Sequence, residues 1–287
     1  MSAIRNEVEA HWLWQGLDDV PLDWGPCVVT IGVFDGVHRG HAQLIARTVE
    51  VARKHQLPAL LITFDPHPAR IAGPPRNTAT LSTPQRRAEL ARQLGVDAVL
   101  VLPFTRTLSN TTADEFVTRV LVDSLRANAV IVGHNFRFGA GGAGDLDTLR
   151  DLGSQHGFTA EGATLLHTSK VSYSSTHVRS CLAAGDVTAA AEALGRPHRV
   201  AGHLTGALIH ASAGTALPAD GHYHGMLMID GAEPRRVDVM VDLQQISISS
   251  FLPDGAAMPP AELDFLRPIP RPIPTPGTTT AEPALTA

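Results

Sequence analysis

The chain has 287 residues, 44% of them hydrophobic and 18% charged, with a formal net charge of −5 and two cysteines. That length holds one large or two modest domains with ample core, and the acidic balance supplies no basic field to hold nucleic acid nonspecifically. The longest apolar runs, such as 98–104 and 129–132, are far too short to cross a bilayer. Residues 1–10 carry Arg5, Glu7 and Glu9 rather than a charged-then-apolar leader. Cys27 and Cys181 are far apart in sequence, and neither has a second Cys or His at ligand spacing. The expectation is a soluble, cytoplasmic protein with two reduced interior thiols.

Taken in chain order, strand-like and helix-like runs alternate through the first two-thirds. Residues 27–34 form an unbroken apolar strand of the kind buried on both faces of a parallel sheet. Residues 41–55 read as a helix with Leu44, Ile45, Thr48, Val51 and Ala52 along one stripe. A strand follows at 59–64, then a helix that Thr83 caps and Pro84 opens. Residues 98–104 are a third strand, and Thr112 with Glu115 forms a capping box for a helix through Arg126. A strand at 129–133, a helix at 145–156 and a strand at 158–166 complete the series. The pattern predicts an α/β fold: a doubly wound parallel sheet with right-handed crossovers and its ligands beyond the carboxyl ends of the strands.

Beyond 175–195 the texture changes. Residues 200–209, 223–229, 235–243 and 245–252 are strand-like, which predicts a small antiparallel β unit. From Leu266 the proline density predicts an extended tail without helix or ladder. The expected division is 1–197, 198–266 and 267–287.

Four polar motifs sit just past strands or at a helix start. The first runs from Gly32 through Phe34, Asp35, Gly36 and His38 to Gly40 and His41. A strand ending in glycines before a helix presents bare backbone N–H groups and the positive end of a dipole, and two imidazoles there suit a polyphosphate. The second is Phe64-Asp65-Pro66-His67-Pro68, where two prolines hold Asp65 and His67 at the sheet's rim; a rigid exposed loop explains it equally well. The third is Asn135-Phe136-Arg137-Phe138 with a glycine-rich run to Gly144, expected to be a flap. Rings, an amide and a guanidinium there suit a flat heteroaromatic ligand carrying phosphate; core phenylalanines capping the sheet are the alternative, and for Phe136 the better one. The fourth is Ser174-Ser175-Thr176 with Arg179 one turn on: helix-start amides, hydroxyls and a cation that make a second phosphate cradle, although plain capping explains Ser175 and Thr176 fully and leaves only Arg179 unexplained.

The first motif resembles the HxGH signature of nucleotidyltransferases. Its fuller string, Gly32-Val-Phe-Asp35-Gly-Val-His38-Arg-Gly-His41, resembles the first motif of the adenylyltransferase half of bacterial bifunctional riboflavin kinase/FAD synthetases. The other three resemble that family's later blocks in order, over roughly residues 27–197. The resemblance implies transfer of AMP from ATP to FMN, giving FAD and pyrophosphate, with Mg²⁺ carried on substrate phosphates. It implies His38, His41 and Arg179 as catalytic residues, and Gly32, Phe34, Asp35, Gly36, Gly40, Ser175 and Thr176 on the nucleotide. It places Phe64, Asp65, His67, Asn135 and Phe138 on the flavin. Asp35, by adjacency, is expected to orient a histidine or a metal-bound water.

The C-terminal region departs from the family. Its kinase element Gly-Arg-x-Leu-Gly-Phe-Pro-Thr-Ala-Asn is absent, and the catalytic Glu has no match; Asp238 and Asp242 are the nearest acids. The region reads as a truncated, degenerate riboflavin kinase domain, and no kinase activity is expected. His222 and His224 are spaced to bind metal, but solvated barrel loops explain them better. Two alternatives stay open at this point: a transferase using another nucleotide, such as CTP, or a modified or different phosphorylated acceptor; and a non-catalytic flavin- or nucleotide-binding protein. The expected partners are small molecules, with no nucleic acid and no membrane; oligomeric state is open.

Overall fold

A computed structural model describes residues 12–73, 77–163, 173–230, 232–249 and 258–270. Its first part is a six-stranded parallel sheet in the order β1-β4-β3-β2-β5-β6, flanked by helices. The strands are β1 (Leu13–Gln15), β2 (Cys27–Ile31), β3 (Ala59–Asp65), β4 (Ala98–Pro103), β5 (Ala127–Gly133) and β6 (Thr159–Ala163). The helices are α1 (Arg39–His55), α2 (Pro84–Gln93), the single turns α3 (Arg106–Ser109) and α4 (Ala113–Phe116), α5 (Leu146–His156), α6 (Ser175–Ala183) and α7 (Val187–Leu194).

The unbroken apolar content of β2 has the meaning expected: every residue from Cys27 to Ile31 is buried. Cys27, Val29 and Ile31 face one core with Leu121, Leu125 and Leu149. Val28 faces the other, with Leu44, Ile45 and Ala52 of α1. The chain winds outward from β2 through β3 and β4, then returns to place β5 on the other side of β2. That reversal opens a crevice beyond the carboxyl ends of β2 and β5.

Several boundaries differ from the sequence reading. β2 ends at Ile31 and α1 begins at Arg39, because Phe34 and Val37 turn left-handed (φ 51° and 39°) and His38 caps the helix. The capping box of Thr112 and Glu115 is formed, but it opens one α-turn that continues as a π-helix over Val117–Ser124. Edge strand β1 is unforeseen; it pairs with β4 and buries Trp14. Of the strand expected at 158–166, residues 164–166 lie outside the described residues, as do the N-terminal residues 1–10.

The second part is a closed antiparallel barrel in the order β10-β11-β8-β7-β12-β9. Its strands are β7 (His198–Thr205), β8 (Leu208–Ala211), β9 (Gly221–Ile229), β10 (Arg235–Asp242), β11 (Gln245–Ser249) and β12 (Pro260–Pro268). The run expected at 200–209 is a hairpin broken at Gly206. Of the run expected at 245–252, residues 250–252 lie outside the described residues. β12 corrects the start of the tail: Arg267 and Pro268, assigned there to extended chain, pair with His224 and Tyr223 of β9 and close the barrel. The rest of the proposed tail, from 271, lies outside the described residues. Leu204, Ile209, Tyr223, Leu227, Val239, Val241, Leu263 and Phe265 fill the barrel interior, in one core with Leu182 and Leu194 of α6 and α7.

Cys27 is fully buried, and burial pushes its thiol up to about 12. Cys181 is only half-buried, which corrects its placement in the interior. Among the described residues no helix is long and apolar enough to cross a membrane.

Candidate active site

A cavity of about 1000 Å³ lies in the crevice beyond β2, β3 and β5. One side is walled by the β2–α1 loop and the start of α6, the other by aromatic residues after β3, β4 and β5.

On the first side, Gly36 (φ 80°) lets the loop pass against Leu81; a Cβ there would lie 3.1 Å from the Leu81 side chain. His38 is the N-cap of α1, and its Nδ1 accepts from the His41 backbone N–H at 3.3 Å. With Nδ1 accepting, a neutral ring carries its proton on Nε2. The two imidazoles stack with centroids 3.6 Å apart, and Phe34 packs edge-on against His41 at 5.0 Å. Burial pushes His38 down to about 4 and His41 well below the ordinary histidine range, so both rings are neutral at pH 7. His41 Nδ1 is buried and has no protein partner. The site thus holds imidazole nitrogens and the N-terminus of α1 at one wall.

α6 starts at the same wall. Its cap is Ser174, whose Oγ accepts from the His177 N–H at 3.1 Å, which corrects the assignment of capping to Ser175 and Thr176. Ser175 Oγ instead donates to the Asp35 carbonyl at 2.9 Å, and Thr176 is exposed in the cavity wall. Arg179 is buried, with one guanidinium N–H 2.5 Å from Asp35 Oδ2 and its Nε–H donating to Ala79 O at 2.7 Å. Burial lowers its pKa, while Asp35 opposes the shift. Asp35 does not bond either histidine. Its carboxylate accepts from Leu81 N, Ser82 N and Ser82 Oγ at 3.0–3.3 Å and from Arg179.

On the aromatic side, Phe136 and Phe138 stack at 5.4 Å and 15°, and Phe64 meets Phe104 edge-on at 5.7 Å. The glycine-rich run is pinned by paired bonds between Phe138 and Gly144, N to O at 3.0 and 2.9 Å. His67 caps the turn Pro68–Arg70 through Nδ1, and burial lowers its pKa.

Of the residues singled out from sequence, Gly32, Phe34, His38, His41, Phe64, His67, Asn135, Phe138, Ser175, Thr176 and Arg179 all line this cavity. Asp35, Gly36, Gly40 and Asp65 do not. The Gly36 N–H is taken by Ser82 Oγ at 2.8 Å, Gly40 lies under the His38 ring, and exposed Asp65 faces Arg87 at 3.9 Å. Sequence reasoning missed Tyr173, Phe104, Leu108 and Asn77, which also line it. Tyr173 and Phe104 carried a usable signal, being aromatics directly before the serine motif and directly after a strand. Arg87, buried under the floor, carried none: it donates to Val33 O, Thr63 Oγ1 and Phe64 O at 2.9–3.3 Å.

Residues 21–177, from the approach to β2 through the start of α6, match the family model described as FAD synthetase. The chain belongs to the FAD synthetase family. It is 41% identical over 192 residues to a bifunctional riboflavin kinase/FMN adenylyltransferase of Pseudomonas fluorescens, covering 67% of this chain and 61% of that one. The Escherichia coli (strain K12) protein of the same description is 36% identical over 178 residues, covering 62% of this chain and 57% of that one. The chain therefore spans about three-fifths of these bifunctional relatives. An FAD synthetase of Listeria monocytogenes is 30% identical over 231 residues, which cover 78% of this chain and 92% of that one. The fold matches a crystal structure described as a macrolide-efflux protein from Streptococcus pneumoniae, with a TM-score of 0.76 over 93% of both chains; at 21% identity this is a likeness of fold alone.

Proposed function

We propose that the protein transfers AMP from ATP to the phosphate of FMN, releasing pyrophosphate and forming FAD. The observation that carries this reading is the junction of two unlike walls in one cavity: neutral, partly unpartnered imidazoles at a helix N-terminus facing a set of phenylalanines. A cavity of about 1000 Å³ lies at the large end of ligand sites, as two substrates held together require.

The flavin phosphate oxygen attacks the α-phosphorus, the bond to the bridging oxygen breaks, and pyrophosphate leaves with that electron pair. No side chain becomes covalently bonded, so the chain's work is alignment and stabilisation of charge on phosphoryl oxygens. His38 donates from Nε2–H to nucleotide phosphates beside the α1 N-terminus, and the stacked His41 ring lines the same wall. Ser175, Thr176 and Arg179 serve the leaving pyrophosphate from the start of α6. Arg179 is pre-oriented by Asp35, so Asp35 acts through the guanidinium. Phe136 and Phe138 pack against the isoalloxazine, with Asn135 available to its polar edge. Magnesium arrives as part of the Mg·ATP substrate; none of the described cavity-lining residues is a carboxylate, so the phosphates themselves hold it.

The barrel carries no riboflavin kinase activity in this reading. It lacks the Thr-Ala-Asn element of the kinase, and its interior is filled by its own side chains. The test uses ATP radiolabelled at the α-phosphorus. Label passes to a flavin in the wild type and falls by about 10²–10³-fold in His38→Ala, the usual cost of one such donor. Wild-type transfer by His38→Ala would refute the assignment.

A further inference from the structure

We propose that the barrel sets the geometry of the nucleotide-binding wall by gripping the 78–82 segment, and that Arg70 is a positioning residue in that linkage. The proposal deepens the transferase reading and rests on it. Arg179 and the β2–α1 loop share one anchor. Ala79 O holds Arg179 Nε at 2.7 Å, Leu81 N and Ser82 N hold the Asp35 carboxylate at 3.0–3.1 Å, and Ser82 Oγ holds Gly36 N at 2.8 Å. Wherever this segment goes, both the guanidinium and the loop that ends in His38 must follow.

Residues 78–82 belong to no helix and to no strand of the parallel sheet. They are fixed from the barrel side. Thr80 N donates to Gly214 O at 2.7 Å, and Ala216 N donates to Thr80 O at 2.9 Å, a parallel bridge between Thr80 and Thr215. The Leu81 side chain is buried in the barrel-side core with Leu182, Leu194 and Ala216. Ala216 is itself fastened: its carbonyl accepts from Nε2 of fully buried His198 at 2.8 Å, and that ring stacks on Phe265 of β12. Beside the same barrel loop, where a Cβ at Gly214 would lie 3.4 Å from its guanidinium, exposed Arg70 donates to Thr78 O at 2.7 Å and to Thr80 Oγ1 at 2.9 Å. A contiguous path of packed and hydrogen-bonded groups thus runs from the barrel wall to the phosphate-facing residues. Phe136 and Phe138 follow β5 and stand outside this path, so the ring stack they form does not depend on it.

The experiment uses the full chain with Ala216→Pro, which deletes the N–H given to Thr80 O, and Arg70→Ala, which changes an exposed residue. Arg70→Ala keeps the test open if Ala216→Pro fails to fold. Amide exchange at Leu81 and Ser82 reads the segment directly, while kcat and KM for FMN read its consequence. Both variants should speed exchange at these two amides. Arg70→Ala should lower kcat by about tenfold or more, a misplacement effect, with KM for FMN unchanged and partial recovery in Arg70→Lys. Faster exchange with wild-type kcat overturns the proposal, as does a kcat loss matched by an equal loss of FMN affinity. A wild type that forms no FAD overturns the transferase reading; the linkage is then decided by exchange alone, and unchanged protection in both variants overturns it.

Discussion

Acidification tests the buried imidazole of His38 directly. The residue is 4% exposed, and burial holds its pKa at about 4 against an ordinary 6.5. Between those two values the unfolded chain binds a proton that the folded one refuses. Folded stability is therefore full above the unfolded value, falls as pH drops through the window, and levels off below about 4. At ~1.4 kcal/mol for each tenfold change in proton affinity, the loss from this one residue is about 3 kcal/mol, a large share of the ~5–15 kcal/mol that holds a typical domain. The assay is urea unfolding at a series of pH values for the wild type and His38→Gln. The variant loses a helix cap, which costs ~1 kcal/mol at neutral pH, but it has nothing to protonate at that position. The two stability curves should cross: wild type higher near neutrality, variant higher near pH 4. His67 and His198, whose pKa values are also lowered by burial, titrate in both chains and drop out of the difference, while His41, stacked on the replaced ring, loses only the small like-charge effect of His38. Parallel curves would refute the reasoning.

Arg87→Met should destabilise the protein by about 3 kcal/mol, because it strips the donor from buried Thr63 Oγ1 and from the Phe64 carbonyl, while the Val33 carbonyl keeps the Thr63 hydroxyl; an unchanged Tm would contradict this. Gly139→Ala should cost about 1–3 kcal/mol and raise KM for FMN, since Gly139 has φ 75° and a Cβ there would lie 2.8 Å from Ala113 N; wild-type melting would count against it. In native protein at mildly alkaline pH, iodoacetamide should modify half-buried Cys181 well before Cys27, whose thiol is buried and pushed up to about 12. Mass mapping that finds Cys27 labelled first would overturn that order.

The parallel sheet was legible because β2, β3 and β4 are continuous apolar runs buried on both faces, and the motifs followed because such sheets bind beyond strand ends. Local signals also served where the physics is local, as at the Thr83 cap and the Thr112–Glu115 box. What failed to show was set by distance or by brevity. Asp35 has a sequence neighbour in His38, yet its real partners lie at Leu81, Ser82 and Arg179, brought in only by the fold. Ser174, Ser175 and Thr176 are chemically interchangeable as caps, and only the backbone path decides that Ser174 takes the role. β1 has three residues, too few for periodicity. β12 carries prolines at both ends, and its last residues read as a tail until its partners β7 and β9 are known. The filled interior of the barrel was hidden for the same reason, since closure depends on that last strand.

The most direct test of the central claim is product analysis after incubation with FMN, Mg²⁺ and each of ATP, CTP, GTP and UTP in turn, with riboflavin plus ATP as the control. The account predicts FAD and an equal amount of pyrophosphate from FMN plus ATP, and no FMN from riboflavin. Product with another nucleotide but not ATP, or tight ligand binding without any pyrophosphate, would contradict it.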